Sequence, residues 1–146
     1  MEINYLDLEL MENLCHRLAV AVFDTKDDPI SPFKEHTKNL LDSSLNLPRA
    51  TFGGKDLYPT LTDKATILYY TLNKNHPFTN GNKRIATASL LVFLSINNHW
   101  IDAGINEMVK KTLYVAESKP SEREEVMENV KKWISEHLIK YENNLS

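Results

Sequence analysis

The sequence predicts a mostly α-helical bundle packed around one central buried helix, with a short β-hairpin flap at its side. Three observations carry this reading. Apolar residues recur at helical spacing through most of the 146 residues, glycine is scarce at four, and the segment from about Asn82 to Asn97 is apolar almost all round. A helix with no polar face belongs at the centre of a bundle.

The elements follow in order. Leu8, Met11, Leu14, Cys15, Leu18 and Val22 share one face of a first helix. Asp27-Asp28-Pro29 marks a loop within residues 24–32, and a second helix is expected over about Lys34 to Leu45, ending before Pro48. The Gly53-Gly54 pair supplies a tight turn between two short extended arms in Arg49 to Pro59, hence the hairpin. Thr62 is the expected N-cap of a third helix through Asn73, with Ala65, Leu68, Tyr69 and Leu72 inward. After the central helix, Ile105, Met108, Val109, Thr112 and Val115-Ala116 suggest a fifth. The last opens with Ser121 and Glu124 at capping-box spacing and turns Val126, Val130, Trp133, Ile134 and Leu138 inward.

Composition narrows the function. The chain reads as one domain over residues 1–146, with 42% hydrophobic and 25% charged residues and a net charge of −3. A nucleic-acid surface usually brings a basic excess, so none is expected. Ile85 to Ile96 is too short to span a bilayer, and the acidic start MEINYLDLELMENL is unlike a signal peptide, so no membrane association is expected. The single cysteine, Cys15, rules out an intramolecular disulfide framework and a thiolate metal cluster, and fits a reducing cytoplasm. His16, His36, His99 and His137 lack metal-ligand spacing and read as surface or packing residues, and Trp100 and Trp133 read as core.

The chemistry concentrates in His76-Pro77-Phe78-Thr79-Asn80-Gly81-Asn82-Lys83-Arg84. Pro77 disfavours helix for the residue before it, which puts His76 in an extended loop just past the third helix. From there an imidazole can accept a hydroxyl proton as a general base. Phe78 anchors the loop. Gly81 permits positive φ and removes a Cβ that would block a phosphate. Asn82 caps the fourth helix or offers its amide to a phosphate oxygen. Lys83 supplies a point charge and Arg84 a planar fork. Two cations in a first helical turn oppose the helix dipole, so removing Arg84 would relieve a conflict in the free protein. A bound anion also resolves it: free N–H groups, dipole, Lys83 and Arg84 converge on a phosphate.

HPFTNGNKR resembles the signature of the Fic/Doc (Fido) superfamily, whose usual form is HxFx(D/E)GN(G/K)R. The likeness extends over Leu40–His99, which is similar to the death-on-curing (Doc) branch; the single-domain size and the final helix with Trp133 also fit. The resemblance implies that His76 is the catalytic base and that Gly81, Asn82, Lys83 and Arg84 form the anion hole for a nucleotide phosphate. It implies that Thr51, Phe52, Gly53, Gly54 and Lys55 form a flap that docks a target segment by strand-like pairing. It implies ATP, or another nucleoside triphosphate, as co-substrate, with magnesium. Most members transfer AMP to a protein hydroxyl. Doc toxins transfer the terminal phosphate, with translation elongation factor Tu as the family's known target, and are controlled by a separate antitoxin protein.

Three departures shape the expectation. Asn80 stands where the family usually has the acidic magnesium ligand; an amide oxygen can ligate a hard cation but adds no negative charge. Lys83 replaces a second glycine, and Thr87 replaces a second arginine; both favour the Doc branch. Ser31 to Glu35 matches only the first part of the family's inhibitory motif, because His36 follows. The expected function is phosphorylation of a protein hydroxyl. AMP transfer and a catalytically weak nucleotide- or protein-binding scaffold are the alternatives.

Overall fold

The computed structural model describes residues 2–141. Asp7 starts the first helix, its carboxylate accepting from Leu10 N at 2.8 Å. This helix, α1, is α-helical over Leu8–Leu10, π-helical over Met11–His16 and α-helical again over Arg17–Phe23. The wider π winding rotates the residues that follow. Met11, Cys15 and Ala19 are buried, whereas Leu8, Leu14 and Val22 of the expected face are exposed.

The second helix starts later than its spacing suggests. Phe33–Glu35 forms a 3-10 turn, and α2 spans Lys38–Asn46. The turn swings Phe33 inward to a ring-centroid distance of 5.9 Å from Phe78. A 3-10 turn over Leu47–Arg49 leads to β1, Thr51–Phe52, and β2, Lys55–Asp56, paired antiparallel with Phe52 opposite Lys55. Gly53 and Gly54 take φ of +60° and +79° between them, the positive pair that this hairpin turn demands.

Helix α3, Leu61–Asn75, is capped by Thr60 rather than Thr62. Thr60 Oγ1 accepts from Asp63 N at 3.0 Å, and Asp63 Oδ2 accepts from Thr60 N at 3.3 Å. Two first-turn groups are thereby satisfied reciprocally, which a cap at Thr62 would leave open. Ala65, Leu68, Tyr69 and Leu72 are buried as expected. Lys64 is only 1% exposed; its Nζ donates to Pro48 O at 3.1 Å and pairs with Asp56 of β2 at 3.3 Å, which ties the hairpin to α3.

Helix α4, Asn82–Ser95, is the central helix, buried continuously from Ile85 to Leu94. It packs on α3, and α1 lies against it; α5, Ile105–Glu117, touches both, while α2 and α6, Arg123–His137, cover α3. The Ser121–Glu124 box does not form. Pro120–Glu122 makes a 3-10 turn in which Glu122 Oε1 accepts from Lys119 N at 2.7 Å. Trp133 is buried and donates to Glu107 at 3.0 Å.

A second ribbon is added to the expected hairpin. β3, His99–Ile101, pairs antiparallel with β4, Leu138–Lys140, so Leu138 leaves the helix it was read into. Among the described residues, no helix is long and apolar enough to cross a membrane.

Candidate active site

Helix α3 stops at His76, which adopts φ +47° and ψ +58°. It lies outside the helix, as expected, but in the left-handed region rather than extended. A left-handed residue ends a helix abruptly, and Pro77 disfavours the right-handed alternative. His76 is exposed while Pro77 is buried, with Pro77 O accepting from Thr37 N at 2.7 Å. Phe78 is 4% exposed and packs among His16, Phe33 and His36, so these two histidines serve packing.

Asn82 sets the curvature of the loop. Its Oδ1 accepts from Phe78 N and its Nδ2 donates to Phe78 O, both at 2.8 Å. The amide expected to cap α4 or reach a phosphate is therefore engaged with the loop. The first intrahelical bond runs from Ile85 N to Gly81 O at 2.9 Å, and no side chain caps the turn before it. The first-turn N–H groups of α4 thus have no side-chain cap, an arrangement that suits an anion.

Gly81 has the positive φ expected, +93°. A Cβ there would stand 3.0 Å from Ile30 Cγ1 and 3.3 Å from Ile30 Cα. The absent Cβ therefore leaves room for Ile30, and Gly81 also lines the cavity described below.

Residues 24–32, some fifty positions earlier in the chain, complete this site. Ser31 Oγ donates to Asn80 O at 3.0 Å and accepts from Asn80 N at 3.1 Å, and Ser31 N donates to Asn80 O at 3.2 Å. Asn80 Nδ2 donates to Asp28 Oδ1 at 2.7 Å and to Pro29 O at 2.6 Å. Arg84 Nη1 donates to Asp28 O at 2.6 Å and Phe23 O at 3.3 Å, while Nη2 lies 3.3 Å from Asp28 Oδ2. Lys83 is exposed and enters no ion pair among the described residues.

These groups open onto one cavity of about 460 Å³. His76, Lys83, Arg84 and Asp28 line its polar part, and Phe23, Ile105, Met108, Val109 and Leu113 its apolar part. Ile105 and Val109, part of the spacing that suggests this helix, are exposed along the cavity wall. Thr87 and Thr112 also line it; their hydroxyls are 2.9 Å apart, and Tyr69 bonds Thr112 from behind. Burial pushes the Tyr69 phenol up to about 12, against the opposing effect of its bonds to the two threonines. None of Thr51, Phe52, Gly53, Gly54 and Lys55 lines the cavity; the hairpin stands in solvent, with Phe52 82% exposed.

Sequence reading missed Asp28 and the apolar wall. Ile105, Val109 and Leu113 recur every four residues, which marks a second helix face. Asp28 carried no signal.

A family model described as the Fic/DOC family matches residues 5–94. The chain belongs to the Fic/DOC family. A curated protein of Mycolicibacterium smegmatis (strain ATCC 700084 / mc(2)155), named Toxin Doc, is 48% identical over 58 residues, which are 40% of this chain and 45% of that protein. The chain thus spans less than half the length of that relative, and the match supports the Doc side of the Fic/DOC family. No solved structure matches the chain. The Fic/DOC likeness implies magnesium. Among the described residues, no three His, Cys, Asp or Glu side chains come together to hold a metal, and the Asn80 amide N–H points at two protein oxygens. A cation carried by nucleotide phosphates needs only one or two protein carboxylates. The cavity has one, Asp28, and fits that mode.

Proposed function

We propose that the chain is a Doc-type transferase that moves the terminal phosphate of ATP onto a hydroxyl of another protein. One observation carries the reading: an exposed histidine and the N-terminal turn of a buried helix, with Lys83 and Arg84 on it, face the same cavity. A base beside a preorganised anion seat is what phosphoryl transfer to a hydroxyl requires. The target's hydroxyl oxygen bonds the γ-phosphorus, the bond from that phosphorus to the β–γ bridging oxygen breaks, and ADP leaves with the electron pair. The hydroxyl proton goes to the His76 imidazole. The N–H groups of α4, Lys83 and Arg84 hold the phosphate oxygens, and the apolar wall of α5 takes the nucleoside. Magnesium, when bound with the nucleotide, neutralises phosphate charge, and Asp28 is the residue that would hold it.

The exposed strands of the flap, Thr51 to Lys55, offer backbone groups for pairing with a target segment. The likeness to the protein named Toxin Doc supports a toxin of a toxin–antitoxin module held by a separate antitoxin, and the single cysteine fits work in a reducing cytoplasm. Elongation factor Tu is the first target to test.

The deciding experiment incubates the protein with γ-labelled or α-labelled ATP, magnesium, and either purified elongation factor Tu or cell lysate. Label from the γ-phosphate on a protein is expected. His76→Ala should lower the rate by roughly 10²–10⁴-fold with unchanged circular dichroism. Label from the α-phosphate alone would mean AMP transfer, and no label from either would mean a binding scaffold.

A further inference from the structure

Among the described residues, Asp28 is the one acidic side chain lining the cavity. Its carboxylate is 68% exposed, so a bound ligand can reach it. Its position is nevertheless fixed. Oδ1 is held by Asn80 Nδ2 at 2.7 Å and Oδ2 lies 3.3 Å from Arg84 Nη2. The backbone on either side is fixed as well: Asp28 O and Phe23 O accept from Arg84, Ile30 packs on Gly81, and Ser31 pairs with Asn80. A negative charge thus stands beside the guanidinium at the first turn of α4.

A polyphosphate that reaches Arg84 must come alongside this carboxylate. Bare phosphate oxygens meet a like charge there. A divalent cation reverses the sign of the contact, because it can take oxygens from phosphate and carboxylate together. We infer that Asp28 couples polyphosphate binding to a divalent cation: its carboxylate opposes the bare anion and supplies an oxygen ligand when the anion arrives with magnesium. The inference rests on the proposed phosphate seat at α4. It gives the metal contact to Asp28, and leaves Asn80 as the donor that positions Asp28.

The test is calorimetric binding of inorganic tripolyphosphate, with magnesium or with a chelator, to the wild type and to Asp28→Asn. The amide keeps the shape and can still accept from Asn80. In wild type, magnesium should tighten binding. In Asp28→Asn, metal-free binding should be tighter than in wild type by roughly three- to tenfold, and the gain from magnesium should shrink by a similar factor. An unchanged gain from magnesium overturns the inference. So does weaker metal-free binding, which would make Asp28 a support for Arg84 only. If Asp28→Asn melts well below wild type, Asp28→Ala gives the same comparison, since Arg84 Nη1 keeps its backbone partners. Binding by neither protein in either buffer overturns the phosphate seat itself, a result distinct from binding that ignores Asp28.

Discussion

Asp28 and Arg84 meet across 56 residues of chain, with the guanidinium 2.6 Å from the aspartate's backbone oxygen and 3.3 Å from its carboxylate. Arg84 looks misplaced at the start of α4 only while the helix is viewed alone: the loop that follows α1 brings it a negative charge, whereas Lys83 enters no ion pair among the described residues.

Arg84→Ala is therefore expected to destabilise the free protein, the opposite of the relief that the helix dipole suggests. The loss includes three contacts to residues 23–28, two of them to backbone oxygens, at a site open to solvent. About 1 kcal/mol is expected. Urea denaturation in phosphate-free buffer checks the sign, and an increase in stability would mean that the pair does not form in solution.

Asn80→Asp, nearly isosteric, is expected to cost more than its size suggests. The swap turns a donor facing Asp28 and Pro29 O into a third acceptor and sets two carboxylates against each other. A penalty of about 1–3 kcal/mol at neutral pH follows. Adding Asp28→Asn should return part of it, because the amide then at position 28 can donate to the carboxylate introduced at position 80. Melting of both single variants and the double variant gives the coupling energy. A single Asn80→Asp variant as stable as wild type would mean that residue 80 does not face Asp28.

The reach of sequence reading follows from how local each signal is. The central helix, the inward face of α3 and the glycine turn are set by residues close in sequence, and they appear as expected. The π winding of α1 shifts a face without changing the spacing of its apolar residues. Strands of three residues such as β3 and β4 are too short to show a period, and they pair across some forty positions. At the site, His76 and the first turn of α4 are contiguous and legible. Asp28 and Ser31 reach it only through the packing of α1 on α4, so nothing near them in sequence announces their role.

Cys15 should behave as an inert thiol. Burial pushes its pKa up to about 12, against the opposing effect of its Ser89 and backbone hydrogen bonds. At pH 8 the thiolate is then about one part in 10⁴, and the thiolate is the reactive form. Iodoacetamide labelling followed by intact mass should be slower in the native protein by at least about 10³-fold than in denaturant. Rapid native labelling would show that the α1–α4 contact opens readily.

Asp63 links the start of α3 to α6 through Lys131 at 2.8 Å. Burial tends to raise its pKa, but hydrogen bonds from Lys131 and Thr60 outweigh this and hold it below the ordinary value of 3.8. The stabilisation is therefore present above that value and is lost as pH falls through the lower, folded one. Asp63→Asn should flatten the acid limb of a melting-temperature profile below about pH 4 and lower stability above it. A parallel profile would separate Asp63 from the acid transition.

Gly81→Ala separates two reasons for the glycine. If the missing side chain only cleared space for a phosphate, alanine would weaken ligand binding and leave the free protein alone. The structure expects the reverse order. At φ +93° an alanine is strained, at about 1–2 kcal/mol. Its Cβ would also meet Ile30, whose Cα at 3.3 Å cannot rotate away, for about 1 kcal/mol or more. The residues from Ile30 back to Asp28 would have to withdraw from the motif, so ligand binding should fall as a consequence of the fold change. Adding Ile30→Ala removes the side-chain contacts but neither the backbone contact nor the φ strain, so the double variant should recover only part of the combined loss. Urea denaturation of Gly81→Ala, Ile30→Ala and the double variant without ligand decides this, and a free Gly81→Ala protein within about 0.5 kcal/mol of wild type would return the glycine to phosphate clearance.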